Sequence, residues 1–417
     1  MPAERPHSRT EHVGGGSGHV FSGGPSGGGF GGGFGGNGGG NRPGMSRAGG
    51  FGILGTIFAI IMAIIGGFAG FGGNTGSNVQ PYYTTYSNSS AASNTDESVV
   101  DTNVDGAARS KFTSLKGNGQ DKVTLMLYII GSDLESQTGM ATMDLNEILH
   151  ADLSNENLNI VVETGGTRRW QNNVMSSRNI ERWSATSRGL QRLETLKSAA
   201  MTKPETLSSF IQFAAKQAPA DRYMLILWDH GGGSVAGYGR DELYTNDTMT
   251  TNEVAKALKA GGVKFDFVGF DACLMATTET ALMLSDHADY LIASEETEPG
   301  IGWYYTNWLN ALSKNTSMST LKIGKEIIDD FVDTCAQKCR GQSTTLSIVD
   351  LAEAELTIPQ ALASFSADTV ELIRNEEYAQ VSNARSGSRE FGASSRIDQV
   401  DLAHLAKNKG TDLSLIH

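Results

Sequence analysis

Two short apolar segments that each end on reactive side chains constrain the fold of this chain more than any other feature. Residues 225–233 (LILWDHGGG) end on His230 and three glycines, and residues 267–275 (FVGFDACLM) carry Cys273 two positions after an aspartate. Short apolar runs that stop at polar residues predict buried strands. Because ligand sites in open α/β sheets lie beyond the carboxyl ends of the strands, the two segments predict a thiol and an imidazole at one edge of a parallel sheet.

Strand and helix patterns alternate between residues 120 and 408, which we interpret as one folded domain. Strands are predicted at residues 122–130, 158–163, 179–184, 223–229, 265–271, 289–293 and 345–349, and helices at residues 134–150, 204–216, 252–260, 274–284 and 321–339. This alternation predicts an α/β domain with a mainly parallel central sheet and helices on both faces. A domain of this length can bury a large hydrophobic core.

The first 119 residues have a composition unlike that of a folded domain. Residues 1–50 are predicted to be a disordered Gly-rich tail, because they bury too little apolar surface to fold. Residues 51–71 are apolar and long enough to cross a bilayer, so a transmembrane helix is predicted there. Residues 72–119 are interpreted as a flexible linker. Residues 409–417 are interpreted as a C-terminal tail, and truncation of the chain is one explanation of how it ends.

The charge distribution predicts the orientation of that apolar segment. Four arginines precede it and the next Lys or Arg is Arg109, so the positive-inside rule predicts a single-pass membrane protein with a cytoplasmic N-terminus and an extracytoplasmic folded domain. The net charge of −13 argues against nucleic acid as a partner. The three cysteines show no disulfide framework and no zinc-ligand spacing, which in an exported protein favours a prokaryotic cell-surface enzyme over a eukaryotic secreted domain.

Cys273 and the histidine segment each have a functional and a structural interpretation. Cys273 is predicted to open the helix at residues 274–284, where the positive helix N-terminus favours the thiolate; the alternative is a small residue packed between sheet and helix. His230 favours the first interpretation, because the glycines after it let the backbone approach a ligand and make the Gly231 N–H a candidate oxyanion donor. A loop that only needs glycines to turn is the alternative for that segment.

Asp271 lies two residues before Cys273, so strand alternation places both on one face of the sheet. Its carboxylate is predicted either to orient the catalytic groups or to receive a cationic substrate side chain. A carboxylate that only caps the following helix is the alternative.

Together the two segments resemble the clostripain family of cysteine peptidases, which shares its His-Gly and Ala-Cys arrangement with caspases, gingipains and legumains. The resemblance rests on residues 229–233 (DHGGG) and 271–275 (DACLM), with further likeness at residues 128–135 and 294–303, and it extends from about residue 121 to about residue 405. It implies a caspase-like α/β/α sandwich with a mainly parallel central sheet, here preceded by a disordered Gly-rich tail and one transmembrane helix.

The resemblance also implies an activity. It implies a cysteine endopeptidase that cleaves protein or peptide substrates after a basic residue, Arg or Lys. The predicted transmembrane helix, in which this chain departs from many relatives, would anchor it to a membrane. Cys273 would be the nucleophile and His230 the general base and then acid, as a dyad without an obligatory third member. The backbone N–H groups of Gly231 and Cys273 would form the oxyanion hole.

Further site residues follow from the same resemblance. Asp271 matches the family's acidic pocket residue, and Glu295 and Glu298, in a segment that also holds Glu296, are further substrate-binding candidates. Family members mature by self-cleavage between the histidine and the cysteine, and Arg240 is the basic residue of the predicted loop there. No cofactor is required; some relatives depend on Ca²⁺, although no EF-hand-like loop occurs here.

Two other functions fit parts of the pattern. A histidine followed by three glycines also occurs in the oxyanion loops of lipases and esterases, which need a GxSxG elbow between a strand and a helix. The one match, residues 24–28, lies in the Gly-rich tail. The other alternative is a non-catalytic surface-binding protein that retains the caspase-like fold.

Overall fold

The computed structural model describes residues 105–245, 247–392, 397 and 399–410. An eight-stranded sheet forms the centre of this part of the chain. Its strands are β1 (Val123–Ile130), β2 (Leu158–Gly165), β3 (Asn179–Thr186), β4 (Gly189–Lys197), β5 (Arg222–Trp228), β6 (Phe265–Asp271), β7 (Ala288–Ala293) and β8 (Ser347–Asp350). They lie side by side in the order β4-β3-β2-β1-β5-β6-β7-β8.

The five central strands, β2-β1-β5-β6-β7, are parallel. Strands β3 and β4 extend one edge antiparallel, and β8 closes the other edge antiparallel. The prediction of an α/β fold with a mainly parallel sheet is therefore confirmed.

Helices cover both faces of the sheet. In chain order the helices of the described residues are α1 (Ser132–Thr138), α2 (Met140–His150), α3 (Pro204–Gln217), α4 (Gly233–Ala236), α5 (Thr251–Gly261), α6 (Thr278–Leu284), α7 (Tyr305–Lys314), α8 (Thr320–Lys338), α9 (Leu351–Arg374), α10 (Tyr378–Ser386) and α11 (Leu402–Lys409). Helices α2, α7 and α8 contribute to the hydrophobic cluster on one face, and α3, α5 and α6 to the cluster on the other.

Side-chain alternation along β1 explains why two hydrophobic layers form. Leu125 and Leu127 belong to one cluster, whereas Met126 and Tyr128 belong to the other, because successive residues of a strand point to opposite faces. Every residue of β1 is buried, as expected of a central strand in a sheet covered on both sides.

Two of the predicted helices differ from those observed. The helix expected at residues 134–150 is two helices, because Gly139 adopts the left-handed conformation with φ of 73° and ends α1. The helix expected from residue 274 begins only at Thr278, where the Thr277 hydroxyl caps it by accepting the N–H of Thr280. The prediction that Cys273 opens a helix is therefore wrong.

The described end of the predicted linker, residues 105–119, is held against the domain. The backbone N–H groups of Phe112 and Thr113 donate to the two carboxylate oxygens of Asp289, both at 2.8 Å. Arg109 donates to the same carboxylate at 3.0 Å. A flexible linker does not make such contacts, and this portion is better regarded as part of the folded unit.

The predicted localisation is contradicted. Across the part of the chain that the structure describes, no helix combines the length and the apolar character needed to cross a membrane. The predicted transmembrane helix at residues 51–71 lies outside that part, as do the Gly-rich tail, residues 72–104 of the linker and residues 411–417. Membrane anchoring, an extracytoplasmic domain and a cell-surface position thus have no structural support.

Candidate active site

The pairing of β5 with β6 brings the two sequence segments together. These strands are parallel neighbours, and Trp228 at the end of β5 lies opposite Asp271 at the end of β6. The residues that follow each strand therefore emerge at the same edge of the sheet. His230 and Cys273 line one cavity there, together with Asp271 and Glu298.

Gly231 allows the loops that carry His230 and Cys273 to approach each other closely. A Cβ atom at Gly231 would lie 2.1 Å from the carbonyl oxygen of Cys273, far inside van der Waals contact. Within the described residues, no backbone or side-chain acceptor receives the Gly231 N–H. This amide is therefore free to donate to an oxyanion formed beside Cys273.

Any side chain at Gly231 is expected to push the two loops apart. We expect Gly231→Ala to lower kcat by at least about 100-fold, the effect of losing one oxyanion donor, and to lower the melting temperature. Thermal unfolding and reporter-peptide hydrolysis measure the two effects. Gly106→Ala is the matched control, because no atom lies within 4 Å of a Cβ at that position; a fully active Gly231→Ala would contradict the close approach.

His230 is buried and bound to a second side chain. Its Nε2 lies 3.0 Å from Oδ1 of Asp133, a residue in the first turn of α1. Burial alone lowers the pKa of His230, but the hydrogen bond to Asp133 and the negative charges of Asp229 and Asp133 outweigh it and raise that pKa above its ordinary value. The imidazole is thus a stronger base than a free histidine.

Cys273 is buried, with 6% of its surface exposed. Its Sγ accepts the backbone N–H of Glu298 at 3.2 Å. Burial, assisted by the negative charge of Glu298, raises the pKa of the thiol to about 12. The expected thiolate stabilisation is therefore wrong: because no helix begins at Cys273, desolvation dominates and the resting group is a neutral thiol.

The backbone beside the thiol is strained. Leu274 adopts φ of 67°, in the left-handed region that residues other than glycine rarely occupy. Its N–H donates to the carbonyl of Glu296 at 3.1 Å. Leu274 and Cys273 also pack against Phe391 and Ile397 from the C-terminal segment. Strain of this kind persists where surrounding contacts hold it, and it is typical of active-site turns.

A cluster of buried carboxyl groups forms one side of the cavity. Asp271 accepts the Tyr305 hydroxyl at 2.8 Å and the Trp303 N–H at 3.2 Å. Burial raises the pKa of Asp271 to about 7, although these hydrogen bonds lower it. Burial and then the charge of Asp271 raise the pKa of Glu298 well above its ordinary value. Burial therefore favours the protonated form of both carboxyl groups, and a cation that entered the cavity would favour their ionised forms.

Asp144 on α2 extends this cluster and was missed by sequence reasoning. It accepts the Trp228 Nε1–H at 2.7 Å. A Cβ atom at Gly302 would lie 2.8 Å from the Asp271 carboxylate and 3.4 Å from that of Asp144, so the two carboxylates flank this glycine. An aspartate on the buried face of a predicted amphipathic helix was the available signal.

Not every predicted site residue lies at the cavity. Glu295 is not among its lining residues, and its carboxylate accepts the hydroxyl of Ser347 on β8. Glu296 instead accepts the N–H of Gly392 at 2.9 Å. The expectation that Glu295 binds substrate is therefore corrected: the turn after β7 directs only Glu298 into the cavity.

Arg240 lies in the loop between His230 and Cys273. Its backbone N–H donates to the Asp229 carboxylate, and its guanidinium Nη1 lies 3.7 Å from Oδ1 of Asp133. The basic residue predicted to be the self-cleavage site thus contacts the same carboxylate as His230.

The described residues do not form a recognisable metal site. Among them, no group of three or more His, Cys, Asp or Glu side chains is arranged to hold a metal ion. A calcium requirement stays a prediction of the resemblance.

The sequence model of the Clostripain family (peptidase C11) matches residues 127–408. The chain belongs to the clostripain family. Clostripain from Hathewaya histolytica is 32% identical over 124 residues, which cover 26% of this chain and 24% of that protein. The match thus spans about a quarter of the length of this curated relative. The family predicted from the two segments is confirmed.

One of two similar solved structures supports the fold of this clostripain-family chain. A secreted C11 cysteine protease from Bacteroides thetaiotaomicron, called iotapain, aligns with a TM-score of 0.53 at 17% identity, over 71% of this chain and 82% of that chain. Another structure of a secreted C11 cysteine protease from that organism, in complex with an irreversible peptide inhibitor, aligns with a TM-score of 0.47 at 22% identity, over 58% and 69% of the two chains. At 17% identity, the likeness to iotapain supports only a shared fold.

Proposed function

We propose that this protein is a cysteine endopeptidase that cleaves protein or peptide substrates after a basic residue, Arg or Lys. The observation that carries the proposal is one cavity lined by a cysteine, a histidine and two buried carboxyl groups, Cys273, His230, Asp271 and Glu298. Membership of the clostripain family supports the same chemistry.

In the proposed reaction, neutral His230 removes the thiol proton as Sγ of Cys273 attacks the substrate carbonyl carbon. The carbonyl oxygen becomes an oxyanion, which the N–H groups of Gly231 and Cys273 receive. The protonated imidazole then donates its proton to the leaving amine, and a thioester remains on Cys273. Water, deprotonated by His230, hydrolyses the thioester and restores the free thiol.

The preference for a basic side chain follows from the carboxyl groups. A guanidinium or ammonium that enters the cavity meets Asp271 and Glu298, and its charge favours their ionised forms. A buried charge-assisted hydrogen bond of this kind is stronger than one between neutral groups. An acidic side chain would instead be repelled, which separates this specificity from one for substrates with Asp at the cleavage site.

A substrate panel tests the proposal. Purified protein is incubated with otherwise identical reporter peptides that carry Arg, Lys, Leu or Asp before the cleavable bond. We expect hydrolysis after Arg and Lys, and little after Leu or Asp. Hydrolysis of simple esters that persists after the thiols are alkylated would favour an esterase, and inertness in every assay would favour a binding protein.

Substrate binding is expected to depend on pH through Asp271. Because its pKa is raised to about 7, the carboxylate that attracts a cation is lost as the pH falls below that value. We expect KM for the Arg peptide to rise about tenfold per pH unit below the pKa. KM for the Leu peptide should stay flat over the same interval, and parallel curves would contradict this role of Asp271.

Cleavage after Arg240 is proposed as the maturation step. The residue lies between the catalytic loops, and its guanidinium is close to the Asp133 and His230 pair. N-terminal sequencing of active protein should give a second start at Asp241, and Arg240→Ala should stay a single chain. A fully active single chain in the wild type would rule out activation by this cut.

A further inference from the structure

Asp133 is placed beside the catalytic histidine by the sheet order. Strand β1 is the parallel neighbour of β5, so the turn after β1 lies next to the loop that carries His230. Oδ1 of Asp133 is 3.0 Å from Nε2 of His230. Both residues are buried, with 4% and 6% of their surfaces exposed, and water therefore competes little for this hydrogen bond.

The backbone around Asp133 is held from several sides. Ser132, directly before it, has φ of 46°, in the left-handed region. The Thr167 hydroxyl donates to the Ser132 carbonyl at 2.7 Å, and the Gly131 N–H donates to the Gly165 carbonyl at 2.9 Å. A backbone in this conformation is stable only when its neighbours fix it, so the position of the carboxylate is well determined.

We propose that Asp133 is a positioning residue that accepts the Nε2–H of His230 and so fixes both the tautomer and the orientation of the imidazole. With the hydrogen on Nε2, the lone pair lies on Nδ1, and Nδ1 is the atom that receives the proton of the Cys273 thiol. The site is then a triad in function, in contrast to the dyad that the resemblance implies. This inference rests on the proposed peptidase function.

Charges around the pair agree with this role. Burial raises the pKa of Asp133, but its hydrogen bond with His230 and the positive charges of His230 and Arg240 outweigh burial and lower it. Asp133 is therefore an anion at neutral pH. Asp229 also faces His230 and raises its pKa, whereas Arg240 lowers it. Arg240 thus shares the Asp133 carboxylate with the histidine.

The test compares Asp133→Asn with the matched control Asp121→Asn. Asp121 is also fully buried and flanks the other end of β1, where it accepts the N–H groups of Lys116 and Gly117. Both variants remove a buried carboxylate, but only the first removes one beside the histidine. We expect Asp133→Asn to lower kcat for the Arg peptide about 100-fold, the lower end of what a positioned general base contributes.

The pH profile separates positioning from a structural role. Activity requires neutral His230, so kcat at saturating Arg peptide, where the bound cation keeps Asp271 ionised, rises with pH through the raised pKa of the imidazole. Loss of the Asp133 charge should move this rising, acidic limb of the pH profile about one unit to lower pH. A structural defect would lower the whole profile without moving the limb. Asp121→Asn should leave the limb in place. An unmoved limb in Asp133→Asn would overturn the proposal.

A measurement on the wild-type protein tests the inference without relying on activity. Nitrogen chemical shifts of ¹⁵N-labelled histidines report the tautomer of each ring, and the His230→Gln spectrum assigns the signal. We expect His230 to carry its hydrogen on Nε2 when neutral. A hydrogen on Nδ1 would refute the role of Asp133, whereas inert peptides with the expected tautomer would refute only the peptidase function.

Discussion

Cys273→Ala is expected to reduce hydrolysis of the Arg reporter peptide by at least about 10⁴-fold, because it removes the nucleophile and leaves only substrate binding and the oxyanion donors. The variant should remain folded, since alanine fits a space that already holds the slightly larger cysteine and opens only a small cavity. Initial rates under saturating peptide, with the melting temperature measured in parallel, give both quantities.

Cys335→Ala is the matched control for this variant. Cys335 is equally buried, with 2% of its surface exposed, but lies on α8 and packs in the hydrophobic cluster on one face of the sheet. The Cys335→Ala variant should lose some stability and keep the turnover number of the wild type. Comparable activity in Cys273→Ala and wild type would remove the basis for covalent catalysis by this thiol.

Asp271→Asn is expected to have the second largest effect, and one that depends on the substrate. Truncating one partner of a buried charge pair costs about 2–5 kcal/mol, so kcat/KM for the Arg peptide should fall about 30- to 4000-fold. Hydrolysis of the Leu peptide should change little, because its side chain does not need the charge. The ratio of the two kcat/KM values measures the effect directly.

The stability of Asp271→Asn should move in the opposite direction. Burial raises the pKa of Asp271 to about 7, so folding favours its protonated form, and the stability associated with this group is lost as the pH rises from about 4 towards 7. A neutral asparagine avoids that loss, and we expect an unchanged or higher melting temperature at pH 8. Glu295→Gln, which alters a buried carboxylate away from the cavity, should keep the Arg preference.

The strand pattern located the two catalytic segments because it depends on local signals. Apolar runs that end on reactive residues predicted β5 and β6, and their parallel pairing follows from the alternation of strands and helices. The start of α6 was misplaced because Leu274, Met275 and Ala276 have helical character. The Thr277 cap was readable in the sequence and should have moved that boundary.

Contacts between residues far apart in the sequence could not be predicted from such local patterns. Asp133 meets His230 across 97 positions of sequence, and no local pattern marks an aspartate that will face a histidine. The same holds for Asp144 beside Asp271. Strand β4, an edge strand with partly exposed residues, lacks the apolar run by which the central strands were recognised.

The Cys273 thiol is a second case in which prediction from the local sequence failed. A helix N-terminus beside Cys273 would have lowered its pKa, whereas the observed turn leaves burial as the dominant influence, and the pKa rises to about 12. In the proposed mechanism, removal of the thiol proton therefore depends on His230. The hydrogen bond from the Glu298 N–H to Sγ links the state of the thiol to the wall of the substrate pocket.

The most direct measurement is to treat the protein with an Arg-terminated peptide that carries an electrophilic ketone and to map the adduct by mass spectrometry. If Cys273 and His230 act together at one edge of the sheet, a single adduct forms on Cys273, and its rate of formation falls sharply in His230→Gln. Labelling that occurs equally on Cys335 and Cys339, or labelling of Cys273 at the same rate without the imidazole, would contradict that arrangement.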